Sequence, residues 1–336
     1  MRSRILVTGG AGYIGSHTVI ALLAAGYDVV IADNFSNSER WIPGRMSELA
    51  GVAIRCVELD LCDSTAVSTC LKQIRPDGVI HFAALKSVGE SITRPLRYYQ
   101  NNLSGTINLL HSMLEVGCRN LVFSSSATVY GYPEHCPIRE DAPLHAINPY
   151  GRTKLMMEQA IQDISAAHPQ FNAALLRYFN PAGAHSSGRL GELPRGAPNN
   201  LVPFVAQVAA GLRDKVRVFG GNYPTADGTG VRDYIHVMDL ADAHVHALAY
   251  LLEREQDLLV NLGTGRGYSV LEIIAAFELA SGVSIPYEMV DRRAGDAAEC
   301  YADPSLSEAL LGWKPSHGLE QICGDAWRWQ QHLRSH

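Results

Sequence analysis

Through the first half of the chain, apolar residues fall in short blocks separated by polar, glycine-bearing turns. Arg4-Ile5-Leu6-Val7-Thr8 is a compact apolar run that stops at Gly9, the pattern of a strand buried on both faces. Across residues 14–25 apolar positions recur at helical spacing and end at Gly26, a helix-stop residue. Residues 28–33 and 53–58 read as second and third strands. A helix is predicted over 64–74, with Asp63 or Ser64 as its cap and Pro76 just beyond its end. Further strands at 78–82 and 120–125 are separated by a helical stretch from about 104 to 115. A helix over about 149–167 then leads into a sixth strand at 173–178. This alternation predicts an α/β fold, a doubly wound parallel sheet with helices on both faces.

Beyond Tyr178 the texture changes. Residues 180–200 are rich in Pro, Gly and Asn, too long for an ordinary connection and therefore expected to be functional. A second such stretch, 220–230, precedes Arg232-Asp233-Tyr234-Ile235-His236. No internal repeat or low-complexity tract is visible. The expected division is a Rossmann-type nucleotide domain over 1–179 and a smaller mixed α/β substrate lobe over 180–336, with chain crossovers back to the first domain.

At 336 residues the chain is long for one hydrophobic core and short for three, in keeping with two lobes. Apolar residues make up 47% and charged ones 18%, the profile of a folded chain rather than a disordered or membrane one. The formal net charge of −6 offers no basic surface for nucleic acid or anionic lipid. The apolar stretch before Gly9 is too short for a signal-peptide core, and no apolar run approaches the ~18 residues of a membrane span. Seven cysteines (Cys56, Cys62, Cys70, Cys118, Cys136, Cys300 and Cys323) are odd in number and include no CxxC pair. They read as reduced thiols, most of them packing residues, and the expected location is cytoplasmic. His244 and His246 lie two apart on a predicted helix, where side chains diverge, so no metal site is expected.

Gly9-Gly10-Ala11-Gly12-Tyr13-Ile14-Gly15 follows the first strand and opens the first helix. Glycines there let a backbone approach a pyrophosphate, and the helix N-terminus supplies amide donors and partial positive charge. An ordinary tight turn can carry the same triplet; its place between strand and helix favours the nucleotide reading. Asp33 ends the second strand about 20 residues on. A carboxylate at that point can bind an adenosine ribose diol and repels a 2′-phosphate, which favours NAD over NADP; it can also be a local capping residue. Asp60, just after the third strand, stands where a carboxylate can meet the adenine amino group.

Tyr150 and Lys154 are four residues apart, so both project from one helical face. A free phenol titrates near 10 and is a poor base at neutral pH. A neighbouring ammonium and a positively charged nicotinamide favour phenolate; a shift of ~3 units requires about 4 kcal/mol, feasible for two cations in a partly dry site. The phenolate then takes a proton from a sugar or alcohol hydroxyl while hydride leaves the same carbon. Ser124-Ser125-Ser126 end the fifth strand at the carboxyl edge of the sheet, where open α/β folds bind ligands. A serine there can share the reacting proton, or it can simply form a turn.

With GGAGYIG, HFAALKSVGES, FSSSATVYG, NPYGRTK, LRYFNPAGA, GVRDYIHVMDLA and NLGTG, the chain resembles the UDP-sugar 4-epimerases of the extended short-chain dehydrogenase/reductase family, from Ile5 to about Trp329. The resemblance implies reversible C4 epimerisation of UDP-galactose and UDP-glucose through a 4-keto sugar with tightly bound NAD. Hydride leaves C4, the sugar turns about its pyrophosphate link, and the hydride returns to the other face. Tyr150 is implied as acid/base, Lys154 as the group that lowers its pKa and holds the nicotinamide ribose, and Ser126 as the partner of the 4-hydroxyl. Cofactor contacts are implied for Gly9, Gly12, Tyr13, Ile14 and Gly15, and for Asp33, Asn34, Asn37 and Ser38. The implied set continues with Asp60, Leu61, Phe82, Ala83, Lys86 and Asn101, then Ser126, Tyr150, Lys154 and Phe179. Substrate contacts are implied for Lys86, Ser126 and Tyr150, for Asn180, Asn200 and Leu201, and for Arg217, Phe219, Arg232, Arg293, Asp296 and Cys300. Arginine suits a pyrophosphate because its planar fork bonds two oxygens at once. A homodimer is implied as well, with the helices near 104–115 and 149–167 at its interface.

Related readings separate at one position. Dehydratases of the family carry acidic residues directly after the Ser/Thr, and related decarboxylases a Glu in that stretch; here Ala127 and Thr128 leave elimination without a proton carrier. Another NAD-dependent nucleotide-sugar epimerase or a dehydrogenase of the same family is the alternative. A non-enzymatic sensor on this fold is disfavoured because Tyr150, Lys154 and Ser126 are all retained. Cys300 stands where the resemblance implies a gatekeeper beside the sugar C2 substituent. Cysteine leaves room there for an N-acetyl group, so UDP-GlcNAc and UDP-GalNAc are expected substrates too; a plain buried cysteine is the other reading.

Overall fold

The computed structural model describes residues 2–293 and 296–335. The chain forms two compact units, one of Met1–Gly131, Pro143–Tyr178 and Ala241–Val260, the other of Tyr132–Ala142, Phe179–Leu240 and Asn261–His336. The first contains strands β1 (Arg4–Thr8), β2 (Asp28–Asp33), β3 (Arg55–Glu58), β4 (Gly78–His81), β5 (Asn120–Ser126) and β6 (Asn172–Tyr178). Then come β7 (Asn180–Ala182), β8 (Val216–Phe219), β9 (Val231–His236), β10 (Leu258–Leu262), β11 (Gly267–Ser269), β12 (Tyr287–Val290) and β13 (Glu299–Cys300). The main sheet runs β10-β6-β5-β4-β1-β2-β3, and β1 to β6 are parallel. The order reverses between β1 and β4, and ligands of such sheets bind outside the strand ends at that reversal.

Every residue of β6 is buried, as both-face burial of a parallel strand requires. The core of the first unit packs Leu6, Val79, Leu121 and Leu175 of the sheet against Leu71, Met113 and Met157 of helices. Local signals end the helices. Asp63 caps Ser64–Ile74 by accepting from the Ala66 amide at 2.9 Å, and Asn148 caps Pro149–Ala167 by accepting from Gly151 at 2.8 Å.

Three features depart from the periodicity reading. The third strand starts at Arg55, two residues later than expected, and the helices Ile42–Ala50 and Val88–Thr93 fall in stretches to which the periodicity assigns no element. The helix expected from about residue 104 begins at Gly105 and is entered through Pro95–Tyr98 and a wide π turn, Tyr99–Ser104. Such turns close i to i+5 and concentrate at functional sites. Cys62 is exposed rather than packed, whereas Cys70, Cys118 and Cys323 are buried.

In the second unit β7 and β13 both pair parallel to β9, and β11 pairs antiparallel to it. Helices Leu201–Ala209, Val270–Ser281 and Leu319–Ser335 bury Val205, Ile273, Phe277 and Ile322 together. Trp327 meets Phe277 edge-on at 6.2 Å. No helix among the described residues is long and apolar enough to cross a membrane.

Candidate active site

In the first unit, the turn after β1 is built for close approach. Gly9 has φ +69°, and a Cβ on it would lie 2.7 Å from the Ala83 backbone nitrogen; a Cβ on Gly15 would lie 2.3 Å from the Gly9 carbonyl oxygen. The segments that follow the two strands flanking the sheet reversal therefore approach closely at Gly9 and Ala83. Helix Tyr13–Ala24 begins at Gly12, which has no side chain to cap it, and the positive end of the helix suits a pyrophosphate.

Asp33 is buried beside this turn. Its Oδ2 accepts from the Ala11 amide at 3.0 Å, and its Oδ1 from Phe35 N at 2.8 Å and Ser38 Oγ at 2.9 Å. Three of its roughly four acceptor sites are thus filled, so a ribose diol must share or displace the Ser38 hydroxyl. The capping and diol readings of Asp33 are compatible on this geometry, and the buried negative charge opposes a 2′-phosphate. Asp60 accepts from Cys62 N at 2.9 Å and lies 3.5 Å from Asn34 Nδ2. Leu61, buried next to it, gives its carbonyl to Asn108 Nδ2 at 2.8 Å. Phe82 stacks obliquely on His244 at 4.8 Å.

Tyr150 and Lys154 are both buried on helix Pro149–Ala167. The ammonium of Lys154 donates to the Ser124 carbonyl and sits 4.9 Å from the centre of the Phe123 ring. Burial pushes Lys154 down to about 7, partly offset by the negative charge of Glu158. The same burial pushes the Tyr150 phenol up to about 12, against a lowering by its hydrogen bond with Ser126. This reverses the direction expected from the Tyr150–Lys154 spacing. Burial is the larger effect on both groups, so the activating field for a phenolate has to include the positive nicotinamide. Of the polar groups around the pair, His81 is held neutral, its pKa lowered to about 3 by burial and by Lys154.

Thr128 has a role that sequence reasoning missed. Its backbone amide and hydroxyl both donate to Ser126 Oγ, at 3.3 and 3.0 Å. With those acceptor sites taken, the one hydrogen of Ser126 is left for the Tyr150 oxygen. Asn102 was missed as well. Buried in the π turn, it donates to the Leu85 carbonyl (3.1 Å) and to Thr153 Oγ1 (3.0 Å), and accepts from Leu85 N (2.8 Å) and Asn101 Nδ2 (3.0 Å). It thereby ties the Ala83–Lys86 segment to the helix that bears the reacting pair. The available sequence signal was a second asparagine beside Asn101.

The second unit gathers the remaining expected residues in three groups. Arg293 lies 3.7 Å and Arg217 5.6 Å from the centre of the Phe219 ring, an aromatic face flanked by two guanidiniums. Arg232 of β9 stands opposite Cys300 of β13 in register and 3.6 Å from Asp296, while Asn180 of β7 pairs with Tyr234 two residues along. Cys300 is half-buried, and its thiol is pushed up to about 12, so it stays neutral. Asn200 precedes helix Leu201–Ala209 without capping it. Phe179 lies in this unit, its amide bonded to the Leu262 carbonyl at 3.2 Å. The NLGTG block serves the scaffold here: buried Asp233 accepts from the Thr264 amide and hydroxyl and from Gly265 and Ala302 amides.

Residues 5–263 match the NAD dependent epimerase/dehydratase family. The UDP-glucose 4-epimerase of Bacillus subtilis is 56% identical over 326 residues, 97% of this chain and 96% of that protein. The crystal structure of UDP-glucose-4-epimerase from Stenotrophomonas maltophila, with bound NAD and formylated UDP-arabinopyranose, superposes with a TM-score of 0.98 at 51% identity, covering 99% of each chain. The UDP-Glc/GlcNAc 4-epimerase of Campylobacter jejuni superposes with a TM-score of 0.86 at 41% identity, over 98% of this chain and 99% of that one.

Proposed function

Because the chain belongs to the NAD dependent epimerase/dehydratase family, we propose that it interconverts UDP-galactose and UDP-glucose by inverting C4, and acts likewise on UDP-GalNAc and UDP-GlcNAc. The observation that carries this reading is the buried Tyr150 hydroxyl held by Ser126, with Lys154 on the same helical face and the Gly9–Gly15 turn in the same unit.

NAD, when bound, supplies a hydride acceptor for C4 and a positive charge near the phenol. The Gly9–Gly15 turn, with Gly12, Tyr13 and Ile14, would hold its pyrophosphate, Asp33 its adenosine ribose and Asp60 its adenine amino group, with Asn34, Asn37, Ser38 and Leu61 as further contacts. Phe82, Ala83, Lys86, Asn101 and Phe179 complete the cofactor set. Tyr150 takes the O4 proton and later returns it, with Ser126 sharing that hydrogen bond and Lys154 favouring the phenolate. Phe219, Arg217, Arg293, Arg232, Asp296, Asn180, Asn200 and Leu201 grip the UDP moiety, with Lys86 at the sugar. Their binding energy is spent remote from C4, which lets the keto sugar turn about its diphosphate link while the nucleotide stays held.

Proton NMR of the purified protein with UDP-galactose, first without added nucleotide and then with NAD+, tests the reading. Appearance of UDP-glucose supports it. No conversion under either condition overturns it.

The N-acetyl specificity rests on Cys300, with support from the UDP-Glc/GlcNAc activity of the Campylobacter jejuni relative. Replacing Cys300 by Tyr is expected to cut kcat/KM for UDP-GlcNAc by on the order of a hundredfold while UDP-galactose turnover changes only severalfold. Equal loss of both substrates would contradict the gatekeeper role.

The protein is further proposed to be a cytoplasmic homodimer. Its free thiols support the compartment. Exposed Ile92, Leu96, Ile107 and Met156, on helices that pack against or belong to Pro149–Ala167, support a covered face there.

A further inference from the structure

Two distant segments of the second unit run side by side. Ile138 and Ala302 form a parallel bridge, closed by Ile138 N donating to the Tyr301 carbonyl and Asp303 N to the Ile138 carbonyl, both at 2.8 Å. Two residues before each member of that bridge stand Cys136 and Cys300. In extended chain, residues two apart share a face, so the register that joins Ile138 to Ala302 brings the two cysteines opposite each other on one side. Neighbouring strands lie about 4.8 Å apart, and disulfides span Cα separations of about 4.4–6.8 Å. The sulfur of Cys136 also accepts from the amide of Tyr301, the residue next to Cys300, and its charge acts on Cys300. Both thiols are free and half-buried.

We propose that Cys136 and Cys300 are a dithiol pair that a low-molecular-weight disulfide oxidises to an internal disulfide, and that closing it fixes Cys300 where an N-acetyl group needs room. The first half goes beyond the UDP-sugar reading above; the second rests on it. The Cys136 thiolate attacks one sulfur of the oxidant, forming a mixed disulfide and expelling one thiolate. The Cys300 thiolate then attacks the Cys136 sulfur, forming the internal S–S bond and expelling the second. Two electrons pass to the oxidant, which leaves as two thiols carrying the two protons. Burial raises both thiols, Cys300 to about 12, with Glu299 adding to the rise at Cys136 and Asp233 to that at Cys300. Arg232 opposes burial at both, and the Tyr301 amide does so at Cys136, which makes Cys136 the attacking sulfur. The exchange is therefore slow at neutral pH and quickens as pH rises. A free thiol can turn aside for an acetamido group; a disulfide, held at both ends, cannot.

The test treats wild type and Cys136→Ser with oxidised glutathione at mildly alkaline pH, blocks free thiols and maps the peptides by mass spectrometry. Wild type is expected to yield a peptide pair joined through Cys136 and Cys300, released by dithiothreitol. The oxidised protein should lose about tenfold in kcat/KM for UDP-GlcNAc and less than about twofold for UDP-galactose, with recovery on reduction. Cys136→Ser, which touches neither the cofactor nor the substrate set, should keep its activity under both conditions. Exposed Cys62 takes up glutathione in both proteins, so the difference between them isolates the pair. Should Cys136→Ser fail to fold, phenylarsine oxide tests wild type alone. Two close thiols bind its arsenic with loss of water and no oxidation, and an arsenical bridging the Cys136 and Cys300 peptides is the expected product. Cys136 and Cys300 recovered unlinked from both reagents would overturn the proposal, and so would a linked protein whose preference between the two sugars is unchanged. A reduced protein that converts neither sugar would instead overturn the reading beneath the second half.

Discussion

Replacing Tyr150 by Phe is expected to lower kcat for C4 inversion by about 10² to 10⁴-fold, the range for losing a positioned acid/base, while NAD remains bound. The substitution keeps the ring in its buried place and removes only the oxygen that Ser126 touches. The pH dependence follows from the shifts. Tyr150 acts as a base only after losing its proton, and burial pushes it up to about 12, so kcat should climb with pH along an acid limb. Lys154, pushed down to about 7, works for the phenolate only while protonated. A bound nicotinamide's positive charge favours Tyr150 losing its proton and Lys154 losing its own. The limb's apparent pKa therefore belongs to the pair, below 12 by the amount the cofactor's charge supplies. In Tyr150→Phe the limb should vanish. Activity within tenfold of wild type, or an unchanged acid limb, would rule out Tyr150 as the proton carrier.

The second large effect concerns stability. Glu158, one helical turn beyond Lys154, accepts from Arg177 Nη2 at 2.6 Å and Nε at 3.0 Å and also binds Ser125 Oγ. Arg177 donates in turn to the Tyr130 hydroxyl at 3.0 Å and lies 5.0 Å from the centre of its ring. Side-chain exposure is only 3% for Arg177 and 1% for Glu158, so removing one partner strands the other without water. Arg177→Met alone should cost about 3–5 kcal/mol, whereas an apolar replacement of both should cost far less, because the pair's own desolvation nearly cancels its attraction. Urea unfolding of the singles and the double measures this directly. A single variant within about 1 kcal/mol of wild type would mean that water or another group reaches the stranded charge.

The residues that announce themselves locally were legible. Gly9 to Gly15 after β1, Asp33 at the end of β2, and Pro149 with Tyr150 and Lys154 at a helix start each carry their signal within a few positions. What escaped depends on residues far apart in sequence. Asn102 reaches Thr153 across 51 positions, and Glu158 meets Arg177 across 19. Neither pairing leaves a periodic trace. The joining of β10 to β6 escaped for the same reason. The direction of the Tyr150 shift was missed because charge spacing can be read along a helix, whereas the dryness of its surroundings is set by the whole tertiary fold. Thr128 was read by what its side chain cannot do to a substrate, and its bond to Ser126 lies outside that question.

The π turn at Tyr99–Ser104 carries a consequence for length changes in this segment. A helix that closes i to i+5 holds one residue more than the same span of α-helix. Deleting a single residue there would let the chain anneal into one regular helix from Pro95 to Val116, at little cost in backbone hydrogen bonds. Each residue before the deletion would then be turned by about 100° relative to those after it. Asn101 and Asn102 would swing off their present bearing, and the bonds to Leu85 and Thr153 would be lost together. Such a shortened chain would keep its helix and its core and lose the register between the Ala83–Lys86 segment and the helix of Tyr150. At this place the surplus residue sets the bearing of Asn101 and Asn102, which a more regular helix would lose.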